Sequence, residues 1–336
     1  MIQSTRLSDL FRKIARTTVG VIGDFCLDAY WDLDAYEPEI SVETGKPTHA
    51  VTKQQYTLGG AGNVISNVVS LGVQKAFAFG VRADDLFGRE LTRQLEALKV
   101  NSTGLVLQPT EWDTPAYAKP YLGDEEQNRI DFGRFNKISQ ESVDRLISAI
   151  EASLPRLDAL IINQQLPQSI YTPEVIVTVN RLVEQFPARV VLLDSRNRSL
   201  EFHHTIYKVN ALEAARLFGK KATNNEAVPL KDLQHYAEQL HRRFERPMFI
   251  TRSSLGILLF DGNEFSEIPA VKIQQPTDTV GAGDTAVAAI ACALAAGSSY
   301  VEAATLATYA AAVTVQKLRQ TGTANPSEIL EIAEER

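Results

Sequence analysis

Apolar and polar positions along this chain repeat with two periods, and the periods alternate. Leu7, Leu10, Phe11 and Ile14 recur at helical spacing and predict a short helix near the N-terminus. The run Thr17-Thr18-Val19-Gly20-Val21-Ile22-Gly23-Asp24 is apolar and β-branched, as suits a buried parallel strand that ends in a turn. Residues 64–71 predict a helix and 74–81 a strand. The stretch opened by Ala83-Asp84-Asp85-Leu86-Phe87-Gly88 predicts a helix carrying Leu91, Leu95 and Leu98. From Ser139 onward the pattern predicts helix 140–153, strand 157–163, helix 173–186, strand 189–194, strand 206–209, helix 211–218 and helix 230–244. Strands 247–251 and 257–260 follow. Residues 286–297 are Ala-rich, lack Pro and end at Gly297, which predicts a buried helix with a C-terminal stop. A second Ala-rich helix covers 303–318, Arg319-Gln320-Thr321-Gly322-Thr323 reads as a turn, and Ser327 starts a last helix. Strands alternating with helices predict a doubly wound, mostly parallel sheet flanked by helices.

Two segments break the rhythm. Residues 30–57 are mixed, with Pro38, Gly45 and Pro47 and short β-prone pieces such as Thr48-His49-Ala50-Val51. Strand candidates at 104–108, 115–121 and 127–132 have no helix between them and predict an antiparallel layer apart from the main sheet. The two segments, 30–57 and 104–134, predict a small β lid over an α/β core of 1–29, 58–103 and 135–336. The exposed edges of such strands are often paired, which predicts a homodimer through the lid.

Composition narrows the function classes. With 336 residues, 44 % of them hydrophobic, the chain can bury a substantial core. The net charge of −7 and the lack of any basic run argue against a nucleic-acid surface. Cys26 and Cys292 lie far apart with no Cys/His cluster, which argues against zinc and fits a reducing compartment. His203-His204 reads as a loop pair. No signal-peptide pattern opens the chain and no run approaches the ~18 apolar residues of a membrane span, so a cytoplasmic protein is expected. The absence of G-x-x-x-x-G-K-[ST] excludes a P-loop kinase, and no G-x-G-x-x-G follows the first strand, against a Rossmann dehydrogenase.

Candidate chemistry lies where strands give way to helices. In Asp278-Thr279-Val280-Gly281-Ala282-Gly283-Asp284-Thr285, two glycines open the Ala-rich helix. Helix N-termini carry N–H groups without partners and partial positive charge, so Gly281, Ala282 and Gly283 can form an anion hole. Asp284 beside such a hole suits a general base acting on a hydroxyl during phosphoryl transfer. An Asp near an N-cap with two turn glycines is the bland alternative. Asp28 follows the first strand, where an open α/β sheet binds ligands, and can accept sugar hydroxyl hydrogen bonds or simply serve a turn. Leu58-Gly59-Gly60-Ala61-Gly62-Asn63 allows close backbone approach, with Asn63 as donor and acceptor or as an N-cap. Asn210 and Glu213 could hold a phosphate and a hydrated Mg²⁺, or form a capping box. Thr251, Ser253 and Gly256 could serve phosphate oxygens or a plain hairpin.

The order of these motifs resembles that of the ribokinase-like (PfkB) carbohydrate kinases. Asp28, G-G-A-G-N, N-x-x-E, T-x-S-x-x-G and D-T-V-G-A-G-D follow one another over nearly the whole chain. The resemblance implies sugar binding by Asp28, Gly59, Gly60 and Asn63. It implies phosphate or Mg²⁺ contacts from Asn210 and Glu213, the latter through water, and an ATP site lined by Thr251, Ser253 and Gly256. Gly281, Ala282 and Gly283 would form the anion hole and Asp284 would be the base. Within the family, Gly23-Asp24-Phe25-Cys26-Leu27-Asp28-Ala29-Tyr30-Trp31, G-G-A-G-N-V, Asn128-Arg129-Ile130-Asp131-Phe132, the run from Gly281 to Val287 and Thr321-Gly322-Thr323 look like the heptose 7-phosphate kinase half of bifunctional ADP-heptose synthases. Asn163-Gln164-Gln165 departs from that pattern, and no nucleotidyltransferase half is present up to Arg336. The expectation is an ATP- and Mg²⁺-dependent kinase of a sugar or sugar phosphate, with any monovalent-cation requirement left open. An acceptor with its own phosphate needs cations apart from the ATP hole, and Lys119, Arg129 and Arg134 lie in or beside the second lid segment. The alternatives are a kinase of another sugar or nucleoside, and a catalytically silent nucleotide-binding regulator.

Overall fold

A computed structural model describes residues 2–34, 36, 39–220, 227–318 and 321–334 of the chain. Pro38, Arg319 and Gln320, which figure in the readings above, lie outside the described residues. In chain order the elements are α1 (Ser4–Ile14), β1 (Thr18–Gly23), β2 (Phe25–Leu33), β3 (Val51–Gly60), α2 (Ala61–Ser70), β4 (Lys75–Arg82), α3 (Leu86–Ala97) and β5 (Asn101–Leu107). Then come β6 (Ala116–Leu122), β7 (Glu125–Glu126), β8 (Ile130–Phe132), α4 (Gln140–Ser153), β9 (Ala159–Gln164), α5 (Pro173–Gln185), β10 (Val190–Ser195), β11 (Ile206–Asn210) and α6 (Ala211–Leu217). The chain continues with α7 (Leu230–Phe244), β12 (Met248–Thr251), β13 (Ile257–Phe260), β14 (Phe265–Ile268), α8 (Ala282–Ala295), α9 (Tyr300–Thr314) and α10 (Pro326–Glu334). Among the described residues no helix is long and apolar enough to cross a membrane.

The main sheet has nine strands in the order β14-β13-β12-β11-β10-β9-β1-β4-β5. It is parallel from β5 to β12, and β13 and β14 add an antiparallel edge. Both faces are covered, as buried parallel strands require. One apolar cluster joins the sheet to α1, α2, α8, α9 and α10, and the other joins it to α4, α5, α6 and α7. The doubly wound, mostly parallel architecture expected from the alternation is therefore present. Small side chains explain the place of α8. Ala288, Ala289, Ala291 and Ala293 are fully buried, and α8 packs against α9, α2, β9 and β10 at once. Its first turn is thereby fixed against the ends of the central strands.

The second sheet departs from the expected layer in three ways. The stretch 104–108, expected there, instead belongs to β5, which pairs parallel with β4 in the main sheet. Phe79, Gly80, Val81 and Arg82 face Gly104 to Leu107 across that register, and Gly104 lets the two strands approach. Asp28 sits inside β2, not in a turn, because the chain passes from one sheet to the other within a single residue, Asp24. The layer is also mixed: β2 runs antiparallel to β3 but parallel to β6, and β7 and β8 pair with β6 antiparallel. β3 extends the strand reading through Gly59 and Gly60. Asn63 is consequently the third residue of α2 and not its N-cap, a place taken by Gly60. Strand β14 and the early start of α9 at Tyr300 were not legible in the pattern.

Candidate active site

The chain winds from β1 outward to β4 and β5, then returns to β9 and winds the other way. The strand order therefore reverses between β1 and β9, the place where open α/β sheets bind ligands. Asp24 fastens this point. Its carboxylate accepts hydrogen bonds from the backbone N–H groups of Gln165 (2.8 Å), Leu166 (2.9 Å) and Ile170 (3.4 Å) and from Ser169 Oγ (2.5 Å). Burial raises the Asp24 pKa, and these four donors pull it back. All of its acceptor capacity goes to the loop after β9, so Asp24 is a clamp.

The first turn of α8 lies over the same strand ends. Gly281 is the N-cap, at φ 79°, and a Cβ there would stand 2.8 Å from Asn63 Nδ2; only glycine fits. The Ala282 N–H donates to the Thr279 carbonyl at 3.2 Å. The N–H groups of Gly283 and Asp284 have no acceptor among the described residues. The open donors of the expected hole are thus one residue further along than the Gly-Ala-Gly run alone suggests. Asp284 is partly buried, and its Oδ2 accepts from Asn63 Nδ2 at 2.7 Å. Asn63 is itself held by Asn67 Nδ2, which donates to its carbonyl (3.0 Å). Asn67 Oδ1 accepts from Thr285 Oγ1 (2.9 Å). Desolvation, then the neighbouring Asp194 carboxylate, raises the Asp284 pKa to about 6, against the pull of Asn63, Lys208 and Arg196. That is the range of a working base.

Asp194 is the penultimate residue of β10 and Lys208 lies in β11, both nearly inaccessible to solvent. Lys208 Nζ donates to Asp194 Oδ1 at 3.2 Å, while Asp194 Oδ2 accepts from Asn163 Nδ2 (3.1 Å) and Gln165 Nε2 (3.3 Å). Burial opposes the Lys208 charge, but Asp194, with Glu213 and Asp284, more than offsets it and leaves the pKa raised. A Cβ on Gly283 would meet one atom within 4 Å, Lys208 Nζ at 3.3 Å. The sequence reading passed over both residues. The available signal was a lone charge in the apolar run Ile206-Tyr207-Lys208-Val209, since lysines are almost never buried unless paired.

In the second sheet Asp28 is buried and paired with Lys119 (2.9 Å), whose ammonium also lies 3.4 Å from Tyr30 Oη. A Cβ on Gly59 would stand 2.9 Å from Asp28 Oδ2, so the glycine leaves room for that carboxylate. Arg129 is paired with Asp131 (2.6 Å) and stacks 4.4 Å over the Tyr117 ring. Arg196, just beyond β10, is exposed and acts electrostatically on both Asp284 and Tyr117. No hydrogen-bond or ion-pair partner holds its guanidinium among the described residues.

Asn210 and Thr251 face each other across β11 and β12 at the strand ends. Asn210 Oδ1 caps α6 by accepting from the Glu213 N–H (2.8 Å), and Glu213 Oε2 accepts from the Asn210 N–H (3.0 Å), a complete capping box. Glu213 Oε1 keeps no partner among the described residues. Ser253 is exposed in the helical turn after β12, and Gly256 is buried where that turn enters β13. A cavity of about 330 Å³ reaches Asn63 from the α3 side, past Thr57, Ser66, Arg93 and Thr323; neither Asp284 nor Lys208 lines it. Among the described residues no group of three or more His, Cys, Asp or Glu side chains could hold a metal ion. The first turn of α8, Asn63 and the ends of β10 and β11 thus form one cluster around Asp284. Asp28 belongs to the second sheet, Arg129 precedes its strand β8, and Thr251, Ser253 and Gly256 lie at the β12 end.

Comparison with known proteins bears on the family and the fold. The model of the pfkB family carbohydrate kinases covers residues 17–328. Bifunctional protein HldE of Wolinella succinogenes is 32 % identical over 320 residues, which are 94 % of this chain and 64 % of that protein. Bifunctional protein HldE of Vibrio parahaemolyticus is 31 % identical over 320 residues, 94 % of this chain and 62 % of its own. The chain therefore spans somewhat less than two thirds of these curated relatives. Among solved structures, ribokinase of Arabidopsis thaliana complexed with ribose and ATP superposes with a TM-score of 0.73 at 19 % identity, over 95 % of this chain and 99 % of that one. Phosphofructokinase-2 of Escherichia coli in complex with potassium gives a TM-score of 0.75 at 17 % identity with the same coverage.

Proposed function

This chain belongs to the pfkB family of carbohydrate kinases, and from that premise we propose that it transfers the γ-phosphoryl group of ATP to a hydroxyl of a heptose 7-phosphate. The observation that carries the reading is a carboxylate of raised pKa, Asp284, in the same helical turn as two unengaged N–H groups. Asp284 takes the proton of the acceptor hydroxyl, whose oxygen attacks the γ-phosphorus. The N–H groups of Gly283 and Asp284 meet charge on the transferring group, and ADP leaves. Asn63 orients the base through its 2.7 Å hydrogen bond. For Mg²⁺, the free Oε1 of Glu213 is a suitable water-mediated contact, because this ion keeps several waters and takes few protein carboxylates. When bound, the ion neutralises phosphate charge. Thr251 and Ser253 at the β12 end, with Gly256 shaping the turn, fit the ATP side.

On the acceptor side, Asp28, Gly59, Gly60 and Asn63 are placed to hold sugar hydroxyls, and the second sheet serves as a lid that excludes water. β3 is an edge strand with Val51–Gln55 exposed, which supports a homodimer through the lid. The reading is of a cytoplasmic enzyme of small molecules, with or without a monovalent cation. The likeness to the HldE proteins supports a heptose phosphate over other sugars as the acceptor.

Two results are expected. The base works deprotonated, so kcat/KM, which reports the free enzyme, rises with pH through an acid limb near pH 6, set by Asp284 with Asp194, Lys208 and Arg196 around it. A kcat/KM–pH profile whose limb lies near the ordinary carboxylate value of 3.8 would contradict the assignment. The acceptor's phosphate faces the cations Arg129 and Arg196. A charge-assisted contact contributes about 1.5–3 kcal/mol, so heptose 7-phosphate should exceed free heptose at least about tenfold in kcat/KM. Arg129→Ala should raise KM for the phosphorylated sugar alone. Equal kcat/KM for the two sugars in steady-state assays would transfer the assignment to an unphosphorylated acceptor.

A further inference from the structure

Lys208 has an environment that an ion pair alone does not explain. Its ammonium carries three donors, and Asp194 Oδ1 is the one hydrogen-bond partner it has among the described residues. The remaining donors face the first turn of α8, with Nζ 3.3 Å from the place of a Gly283 Cβ. A helix N-terminus is itself partially positive. The fold thus buries a cation against the Gly283 and Asp284 N–H groups, which also lack an acceptor. Two positive groups converge on one small space, and an anion between them would satisfy both. A lysine serving stability alone gains little here, since a buried ion pair is often no better than apolar side chains of the same volume.

We infer that Lys208 is a catalytic residue: its ammonium contacts the phosphoryl group in transit at the N-terminus of α8, and Asp194 holds it there. The inference rests on the kinase reading above. In that step the bond from the acceptor oxygen to the γ-phosphorus forms and the bond from the γ-phosphorus to the β,γ-bridging oxygen breaks. The electron pair leaves with the nucleoside diphosphate, and the hydroxyl proton goes to Asp284. In the transition state the charge spread over the three equatorial oxygens lies between the ammonium on one side and the N–H groups on the other. Asp194 is a positioning residue. It fixes Nζ and is fixed in turn by Asn163, near the end of β9, and Gln165, just after it, from the stretch where this chain differs from the pattern it otherwise resembles.

The test compares the wild type with Lys208→Met/Asp194→Asn and with Lys208→Gln/Asp194→Asn, using ATP, Mg²⁺ and heptose 7-phosphate. Both double variants remove the two charges together, so neither leaves a buried ion unpaired. Lys208→Gln/Asp194→Asn keeps a donor and an acceptor at the two positions and covers the case in which the first variant does not fold. Both should bind ATP within a few-fold of wild type and lose about 10²-fold in kcat, the scale of one lost donor to a developing oxyanion. A folded variant with wild-type kcat overturns the inference and leaves the kinase reading in place. A wild type that phosphorylates no acceptor overturns both.

Discussion

Asp284→Asn is expected to lower kcat by about 10²- to 10⁴-fold, the range of general-base loss, with ATP binding retained. The substitution is nearly isosteric, and the amide oxygen can still accept from Asn63 Nδ2, which now reaches Asp284 at 2.7 Å. What disappears is the ability to take a proton. The same variant should be more stable than the parent at neutral pH. The Asp284 pKa lies at about 6 in the folded protein against an ordinary 3.8. A carboxyl group whose pKa is raised by folding favours the folded state only while protonated. Stability is therefore lost as pH rises from about 4 through about 6, on the order of 2–3 kcal/mol by pH 7. Removing the charge restores it, so thermal unfolding at pH 7 should move up while turnover collapses. A variant that is inactive because it unfolds would show the opposite shift, and near-normal turnover would remove Asp284 from the mechanism.

Gly283→Val should cost about 10³-fold in kcat, at or beyond the upper end for one lost oxyanion donor. Gly283 lies at the second helical position of α8, and its φ is not in the region reserved for glycine. A Cβ there meets no backbone or packed side chain, only Lys208 Nζ at 3.3 Å. The fold can therefore accept the valine, and the branched methyls would occupy the space between the ammonium and the open N–H groups. Binding of ATP and sugar should weaken less than turnover, which steady-state kinetics together with calorimetric titration of each substrate would show. An unchanged rate would mean that the glycines serve only the turn. Gly281 makes a poorer probe: its φ of 79° and the 2.8 Å approach of Asn63 mean that any side chain strains the turn itself.

The parallel core was legible because its strands are continuous apolar runs and most of its helices carry one apolar stripe, while α8 and α9 are Ala-rich and buried nearly all round, and these patterns can be read without knowing the partners. The second sheet was less so. Whether 104–108 pairs with β4 or with β6 depends on contacts distant in sequence, and its composition suits either. Asp28 looked like a turn residue because the turn between sheets is a single residue, shorter than any local signal resolves. The capping box of Asn210 and Glu213 was readable from spacing alone, as was the turn that opens α8. Which N–H groups of that turn stay open was not, since it depends on whether the Thr279 carbonyl reaches Ala282 or Gly283. Lys208 and Asp194 stand apart in the chain and meet because β10 and β11 are neighbours in the sheet. Only topology joins them.

The central claim is that this chain moves a phosphoryl group from ATP to a heptose 7-phosphate with Asp284 as base. Mass spectrometry of the sugar pool, run beside ADP release, tests it directly for the wild type and for Asp284→Asn. The account predicts one heptose bisphosphate formed per ADP released by the wild type, with both falling together in the variant. ADP released without any phosphorylated heptose, or bisphosphate formed equally fast by Asp284→Asn, would contradict it.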